Sequence, residues 1–190
     1  MVNQKTRHMV MSALLAALTT AATMVIRIPT PTLGYIHLGD SMVLICGILL
    51  GPGLGAAAAG IGSMLADLFS GFTAWAPGTF AIKALTALVG GSLYRLCLKQ
   101  EHISLPLRVI LCGIPAEAVM VAGYFLYEVG MMTLAGSDLT AAATAVLAGV
   151  PFNVVQGLSG IVVGVVLLPV LSHAGAGAEM PSRKRKSHNF

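Results

Sequence analysis

The chain alternates between long apolar runs and short polar interruptions. Six apolar runs cover about residues 8–26, 35–50, 54–69, 79–97, 107–131 and 141–171. A transmembrane helix needs about 20 mainly apolar residues to cross a hydrocarbon core about 30 Å thick. The longer runs meet that length, and the shorter ones can pack among them. The pattern predicts an all-α membrane protein, a bundle of six transmembrane helices.

Proline and glycine mark the breaks between these runs. Gly51-Pro52-Gly53 predicts a tight turn between the second and third helices. Residues 27–34 hold two prolines and a glycine, which predicts a loop of restricted backbone freedom. Residues 70–78 predict a second irregular loop, and residues 150–153 interrupt the sixth run.

Composition supports a membrane location. The chain is 56% hydrophobic and only 9% charged, whereas a typical soluble domain has about 25% charged residues. So few charges could not cover the surface of a soluble protein of this size. The 22 glycines suit close helix packing in lipid.

The basic residues are distributed unevenly between the two sides of the predicted bundle. With the N-terminus inside, nine basic residues fall on the inner side: Lys5, Arg7, Arg95, Lys99, Arg108 and residues 183–186. Arg27 alone falls on the outer side. Because Lys and Arg are retained on the cytoplasmic side, both termini are predicted to be cytoplasmic.

The sequence predicts one domain and a tail. Residues 1–173 form the six-helix domain, and residues 174–190 form a basic cytoplasmic tail that we expect to be disordered. The tail's charges suit anionic lipid headgroups. No folded soluble module accompanies them, which argues against a nucleic-acid partner.

Three ions in the apolar runs require an explanation, namely Asp40, Asp67 and Lys83. A charge at the centre of a membrane helix costs about 2.5–3.5 kcal/mol on insertion scales. Such groups should therefore be paired or line a polar pocket. Asp67 and Lys83 could contact a ligand or form an ion pair that joins two helices. Asp40 could equally be a ligand or the cap of the second helix.

Further polar residues converge on the same half of the bundle. Glu117, Tyr124 and Glu128 share one face of the fifth helix by spacing. Asn153 and Gln156 lie partway down the sixth, where their amides supply donors and acceptors together. The predicted topology turns this half outward and indicates a pocket for a polar solute. The role of Glu117 stays open between helix packing and substrate contact.

Catalytic motifs are absent from the sequence. It has no HExxH, GxSxG or GxxxxGK[ST] motif, so metalloprotease, serine hydrolase and ATPase functions lack their residues. We expect no enzyme activity and no cofactor. Two functions stay compatible with the sequence. One is a transport subunit that depends on partner proteins for energy. The other is a self-sufficient secondary transporter or channel with Asp67, Lys83 and Glu117 as an ion relay.

Small residues recur every four positions along the first helix, at Ala13, Ala17 and Ala21. Such spacing lets another helix approach closely. The sequence leaves open whether that helix belongs to this chain or to a partner.

Residues 35–91 carry a recognisable pattern. They read LGD, an apolar run, LLGPGLG, a glycine-rich helix, ADLFSG, WAP and then Lys83 in the next helix. This resembles the S components of energy-coupling factor (ECF) vitamin transporters, in particular the riboflavin-type subfamily.

The resemblance implies a multi-pass subunit in a prokaryotic cell membrane. Such a subunit binds a vitamin or vitamin precursor outside and docks on a membrane scaffold that is driven by two cytoplasmic ATPases. It implies that Ala13, Ala17 and Ala21 lie at the docking face. The substrate-site residues it favours, together with those that the topology brings near, are Tyr35, His37, Asp67, Trp75, Lys83, Tyr124, Glu128, Asn153 and Gln156. The resemblance does not identify the vitamin.

Overall fold

The structure is a computed structural model that describes residues 3–25, 27–29, 35–100 and 102–173, with the backbone alone for residues 29, 35 and 36. These residues form helices α1 (Gln4–Val25), α2 (Gly39–Leu50), α3 (Pro52–Phe69), α4 (Ala76–Cys97), α5 (Leu105–Leu134), α6 (Leu139–Leu147) and α7 (Val150–Leu171). Two short strands, β1 (Arg27–Pro29) and β2 (Tyr35–His37), lie between α1 and α2. The tail at 174–190 lies outside the described residues.

Four of the helices begin with a proline in their first turn. These are α3, α4, α5 and α7. Proline is well placed there, because the first backbone N–H groups of a helix have no intrahelical acceptor and the ring presets the helical φ. The helix α6 instead begins at the N-cap Asp138, whose carboxylate accepts hydrogen bonds from the N–H groups of Thr140 and Ala141. Thr140 also donates a bond from its side-chain hydroxyl to that carboxylate, and these bonds lower the pKa of Asp138.

Helix α2 is the centre of the bundle. Ten of its twelve residues are buried, and it packs against α1, α3, α4 and α7. Gly47 of α2 and Gly91 of α4 meet backbone to backbone, and a Cβ on Gly55 of α3 would lie 2.6 Å from the Cα of Gly47. Three helices therefore approach one another where none carries a side chain, as small residues allow in lipid.

Arg27–Pro29 was predicted as part of a loop and Tyr35–His37 as the start of the second helix, and both predictions are wrong. Arg27–Pro29 and Tyr35–His37 pair as antiparallel strands, with Arg27 opposite His37. The structure describes nothing of residues 30–34, which join them. The strand β2 ends at His37, and α2 begins two residues later at Gly39.

The predicted count of six helices is not confirmed. The sixth run forms two helices, so the described part of the chain contains seven. Pro151 explains the break, since it has no N–H to donate to Leu147 and its ring clashes with that carbonyl. The chain turns at Ala148-Gly149 and α7 begins at Val150.

The helices suit a membrane. Helices α1, α3, α4, α5 and α7 are each long and apolar enough to cross one, whereas α2 is a shorter apolar helix. Their outward-facing residues are largely aliphatic. The all-helical character of the membrane domain is confirmed, and the side on which the termini lie stays a prediction.

Candidate substrate-binding site

A buried polar cluster forms where the first turn of α2 meets the second turns of α4 and α7. Its centre is Asp40, in the first turn of α2. One carboxylate oxygen accepts a hydrogen bond from the Lys83 ammonium and forms an ion pair with it. The other oxygen accepts a bond of 2.7 Å from the amide nitrogen of Gln156. The side chains of Asp40 and Lys83 are 0% exposed, so each needs these partners.

Gln156 connects this ion pair to the hairpin. Its amide oxygen accepts a 3.0 Å hydrogen bond from the backbone N–H of His37 in β2. The Nδ1 atom of His37 accepts in turn from the backbone N–H of Gly39. Burial lowers the pKa of His37 to about 4, and the neutral ring is the form in which Nδ1 can accept.

Tyr124 of α5 covers the Lys83 ammonium. The distance from Nζ to the ring centroid is 5.1 Å, within the range of a cation–π interaction. The Tyr124 hydroxyl donates to Oγ1 of Thr79 on α4, at 3.1 Å. The Lys83 ammonium thus contacts both the Tyr124 ring and the Asp40 carboxylate.

The structure decides against two of the alternatives that the sequence left open for the ions. Lys83 pairs with Asp40 and not with Asp67, because Asp40 at the start of the central helix lies opposite the second turn of α4. Asp40 does not cap α2, since its oxygens bond to Lys83 and Gln156 and the helix start has no side-chain cap. Asp67 is buried near the end of α3.

Trp75 and Glu128 form a second group of contacts. The Trp75 indole, at the start of α4, contacts the Phe72 ring edge-to-face, with centroids 5.9 Å apart. The half-buried Glu128 carboxyl of α5 lies beside that indole. Tyr127, one residue earlier, donates a 2.7 Å hydrogen bond to the backbone carbonyl of Ala74. These contacts fasten the loop at residues 70–75 to α5. This loop is shorter than predicted, because α4 begins at Ala76.

The remaining predicted residues have separate places. Asn153 is half-buried in the first turn of α7, and its side chain makes no hydrogen bond within the described residues. Tyr35 lies in β2, and the structure describes only its backbone. Prediction thus named four members of the cluster, His37, Lys83, Tyr124 and Gln156. It missed Asp40 as the centre and Thr79 as the partner of Tyr124.

Ala13, Ala17 and Ala21 are exposed along one face of α1. The packing face is the adjacent one: Thr20 donates a 2.8 Å hydrogen bond to the carbonyl of Gly62 on α3. A Cβ on Gly62 would collide with the Ala16 backbone. Ala16 and Thr20 thus make a close contact of α1 with α3, on the face adjacent to the three alanines.

The fold and the buried cluster define a membrane-embedded protein with a polar interior site. Comparison with protein families makes this specific: residues 3–173 match the ECF-type riboflavin transporter, S component, family. The chain belongs to this family. It is a family of vitamin transporter subunits and not a class of enzymes.

Two further proteins resemble the chain. One is a protein of Pyrococcus woesei described as an uncharacterized protein in the gap 3′ region, 33% identical over 146 residues, which are 76% of this chain and 88% of that protein. The other is a solved structure of the S component of a bacterial ECF transporter. The two chains superpose with a TM-score of 0.64 and are 21% identical in sequence. The match covers 90% of this chain and 98% of the chain in the solved structure. This second likeness establishes the fold.

Proposed function

We propose that this S component captures a vitamin or vitamin precursor at the outer face of a prokaryotic cell membrane and delivers it inward. The observation that carries the proposal is the buried cluster around Asp40. It offers a carboxylate, an ammonium, an amide and an aromatic face inside an otherwise apolar bundle. A few directional polar groups among apolar walls are what a small-molecule site requires.

The outward orientation rests on the charge distribution. Nine basic residues fall on the side that would carry both termini, against Arg27 on the other. With that orientation the first turns of α2, α4 and α7 face outward, and the cluster lies beneath the hairpin. A ligand would reach it by displacing the hairpin.

Energy for uptake would come from partner subunits. The chain has no nucleotide-binding motif of its own. The exposed strip Ala13, Ala17 and Ala21 offers a smooth helix face for a scaffold subunit, and two cytoplasmic ATPases would act through that scaffold. Reorientation of the whole subunit would then carry the site inward.

Mass spectrometry of the purified protein tests the binding step. A retained vitamin would identify the substrate, and the affinity can then be measured with riboflavin first, followed by pyridoxine, the thiamine-precursor pyrimidine and pantothenate. Replacing Asn153 by Ala should weaken binding without loss of stability, because its side chain supports no internal hydrogen bond. Ser159→Ala, at a half-buried hydroxyl that bonds to the Gln156 carbonyl, is the matched control on the same helix.

Reconstitution tests the energy source. Uptake into vesicles should require the scaffold, both ATPases and ATP. Uptake by this chain alone, driven by an ion gradient, would refute the proposal and favour a secondary transporter.

A further inference from the structure

Glu117 is a buried acid for which the contacts within the chain give no reason. It lies on α5 and is 4% exposed. Neither of its carboxyl oxygens has a hydrogen-bond partner among the residues that the structure describes. The large majority of buried polar side-chain atoms in proteins do have such a partner. Two unpartnered oxygens on one buried side chain therefore indicate a partner that comes from outside the chain.

The Glu117 carboxyl group belongs to the polar site around Asp40. A Cβ on Gly157 of α7 would lie 2.9 Å from the Glu117 Cβ and 3.2 Å from its Oε2 atom. Three residues later on the same helix, a Cβ on Gly160 would lie 2.8 Å from the Asp40 Cβ. The two acids thus lie against consecutive glycines of α7. Glu117 is also close enough to Asp40 and Lys83 for their charges to act on it.

Packing of α5 against α7 does not require an acid at this position. The stem of the Glu117 side chain fills the space beside Gly157, and an apolar side chain of similar length would fill it too. A hydrogen bond between the helices would give the carboxyl group a structural role, but neither oxygen makes one within the described residues. The geometry therefore favours contact with a ligand over a role in helix packing.

Acidic groups predominate around the site. The Tyr124 hydroxyl lies within electrostatic range of three carboxyl groups, those of Asp40, Asp67 and Glu128, and Glu117 adds a fourth. The Lys83 ammonium already pairs with Asp40. An anionic ligand would have to compete with Asp40 for that ammonium while the other acids repel it, and juxtaposed like charges are strongly unfavourable. The surroundings suit a ligand without a negative charge.

We propose that Glu117 contacts the substrate of this S component and selects a vitamin or precursor whose buried end carries an N–H or O–H donor and no negative charge. This inference rests on the proposed function and adds the substrate class to it. Each carboxyl oxygen can accept hydrogen bonds from a ring N–H, an amine or a hydroxyl. Tyr124 lies on the same face of α5, seven residues or about 10 Å further along the helix, so a ring-sized ligand can contact both residues.

Affinity measurements on the purified full-length chain in phosphatidylcholine nanodiscs test the inference. The ligands are any vitamin that the protein retains, riboflavin, and two matched pairs, pyridoxine with 4-pyridoxate and pantothenol with pantothenate. In each pair a carboxylate replaces a hydroxymethyl group, which can donate a hydrogen bond. We expect the tightest ligand to carry no negative charge. For a pair that binds, we expect the uncharged member to bind about tenfold more tightly, the factor that about 1.4 kcal/mol gives.

Two variants assign this selectivity to Glu117. Glu117→Leu should bind the tightest ligand about tenfold more weakly, yet melt without ligand at the same temperature as wild type or higher, because the carboxyl group makes no internal hydrogen bond. Glu117→Gln keeps the shape and removes the charge, so it should narrow the difference within each pair. Thr133→Val is the matched control on α5, where the hydroxyl bonds to the Val129 carbonyl one turn earlier, and should leave affinity and selectivity unchanged.

The outcomes distinguish this inference from the proposed function. A carboxylate as the tightest ligand, or an affinity that Glu117→Leu leaves unchanged, would overturn the inference and leave vitamin binding intact. A lower melting temperature of Glu117→Leu with unchanged affinity would instead assign the residue to helix packing. Wild-type protein that neither retains nor binds a vitamin would refute the proposed function, and this inference with it.

Discussion

Replacing Lys83 by Met tests whether the buried ion pair stabilises the fold or serves the ligand. The substitution keeps most of the side-chain volume and removes the ammonium. Asp40 then retains Gln156 as its hydrogen-bond partner and loses the cation. Breaking a buried ion pair by removal of one partner costs about 3–5 kcal/mol, a large share of the 5–15 kcal/mol that typically separates folded from unfolded protein.

The double variant Asp40→Asn/Lys83→Met should be more stable than Lys83→Met alone. The amide that replaces the Asp40 carboxylate presents a neutral oxygen that can still accept from Gln156, so no uncompensated charge stays buried. A double-mutant cycle then gives the coupling free energy between the two residues. Thermal unfolding in detergent measures each step, and Lys99→Met, at an exposed position, is the matched control.

Ligand affinity, measured on the same variants, completes the test. If Lys83 contacts the vitamin, the double variant recovers stability and stays weak in binding. If the pair is purely structural, the double variant recovers both. Equal melting temperatures for wild type and Lys83→Met would refute the reasoning, because a buried carboxylate cannot lose its cation without cost.

Three further predictions concern other parts of the chain. Ala13→Trp/Ala17→Trp should abolish uptake by the reconstituted complex and spare vitamin binding, since these residues are exposed on α1. Gly47→Val should lower the unfolding free energy by about 1–3 kcal/mol or more, because its Cβ would meet the backbone of α4, whereas Gly53→Ala, with open space around it, should not. Acid should destabilise the protein between pH 6.5 and about 4 through His37, whose pKa burial lowers, and His37→Asn should flatten that part of the melting profile.

The direction of the pH effect follows from proton binding. The unfolded state takes up a proton on His37 near the ordinary pKa of 6.5, while the folded state stays neutral down to about pH 4. The stabilisation is therefore complete above 6.5 and is lost as the pH falls. A melting profile that His37→Asn leaves unchanged would contradict the pH prediction. Loss of vitamin binding together with uptake in Ala13→Trp/Ala17→Trp would contradict the prediction for α1.

The helices were predictable because apolar runs and prolines leave few alternatives. The run at 54–69 follows the Gly51-Pro52-Gly53 break and ends before a glycine-containing loop, and the helix Pro52–Phe69 has those limits to within two residues. The split at Pro151 also follows from local chemistry. The short strands around residues 27–37 were not predictable, since they contain prolines and their pairing depends on how α1 and α2 approach each other.

The ion-pair partner of Lys83 could not be predicted from the sequence, because it too depends on how the helices pack against each other. Asp40 and Asp67 both lie near helix ends at the same side of the bundle, and either could reach an ammonium there. The choice depends on the rotation of α2 and α3 about their axes. That rotation is set by glycine contacts such as Gly47 with Gly91, which a single sequence does not reveal.

The shortness of α2 has a consequence for the membrane. Its twelve residues extend about 18 Å, so about 12 Å of a 30 Å hydrocarbon core is left without α2. The extended strand β2 precedes α2 on that side, and the N–H of His37 bonds to a side chain in the second turn of α7. Non-helical backbone next to a hydrocarbon core is tolerated only where protein or water surrounds it. The missing helical turns thus leave a place where a solute can exchange hydrogen bonds with the protein while every membrane helix stays intact.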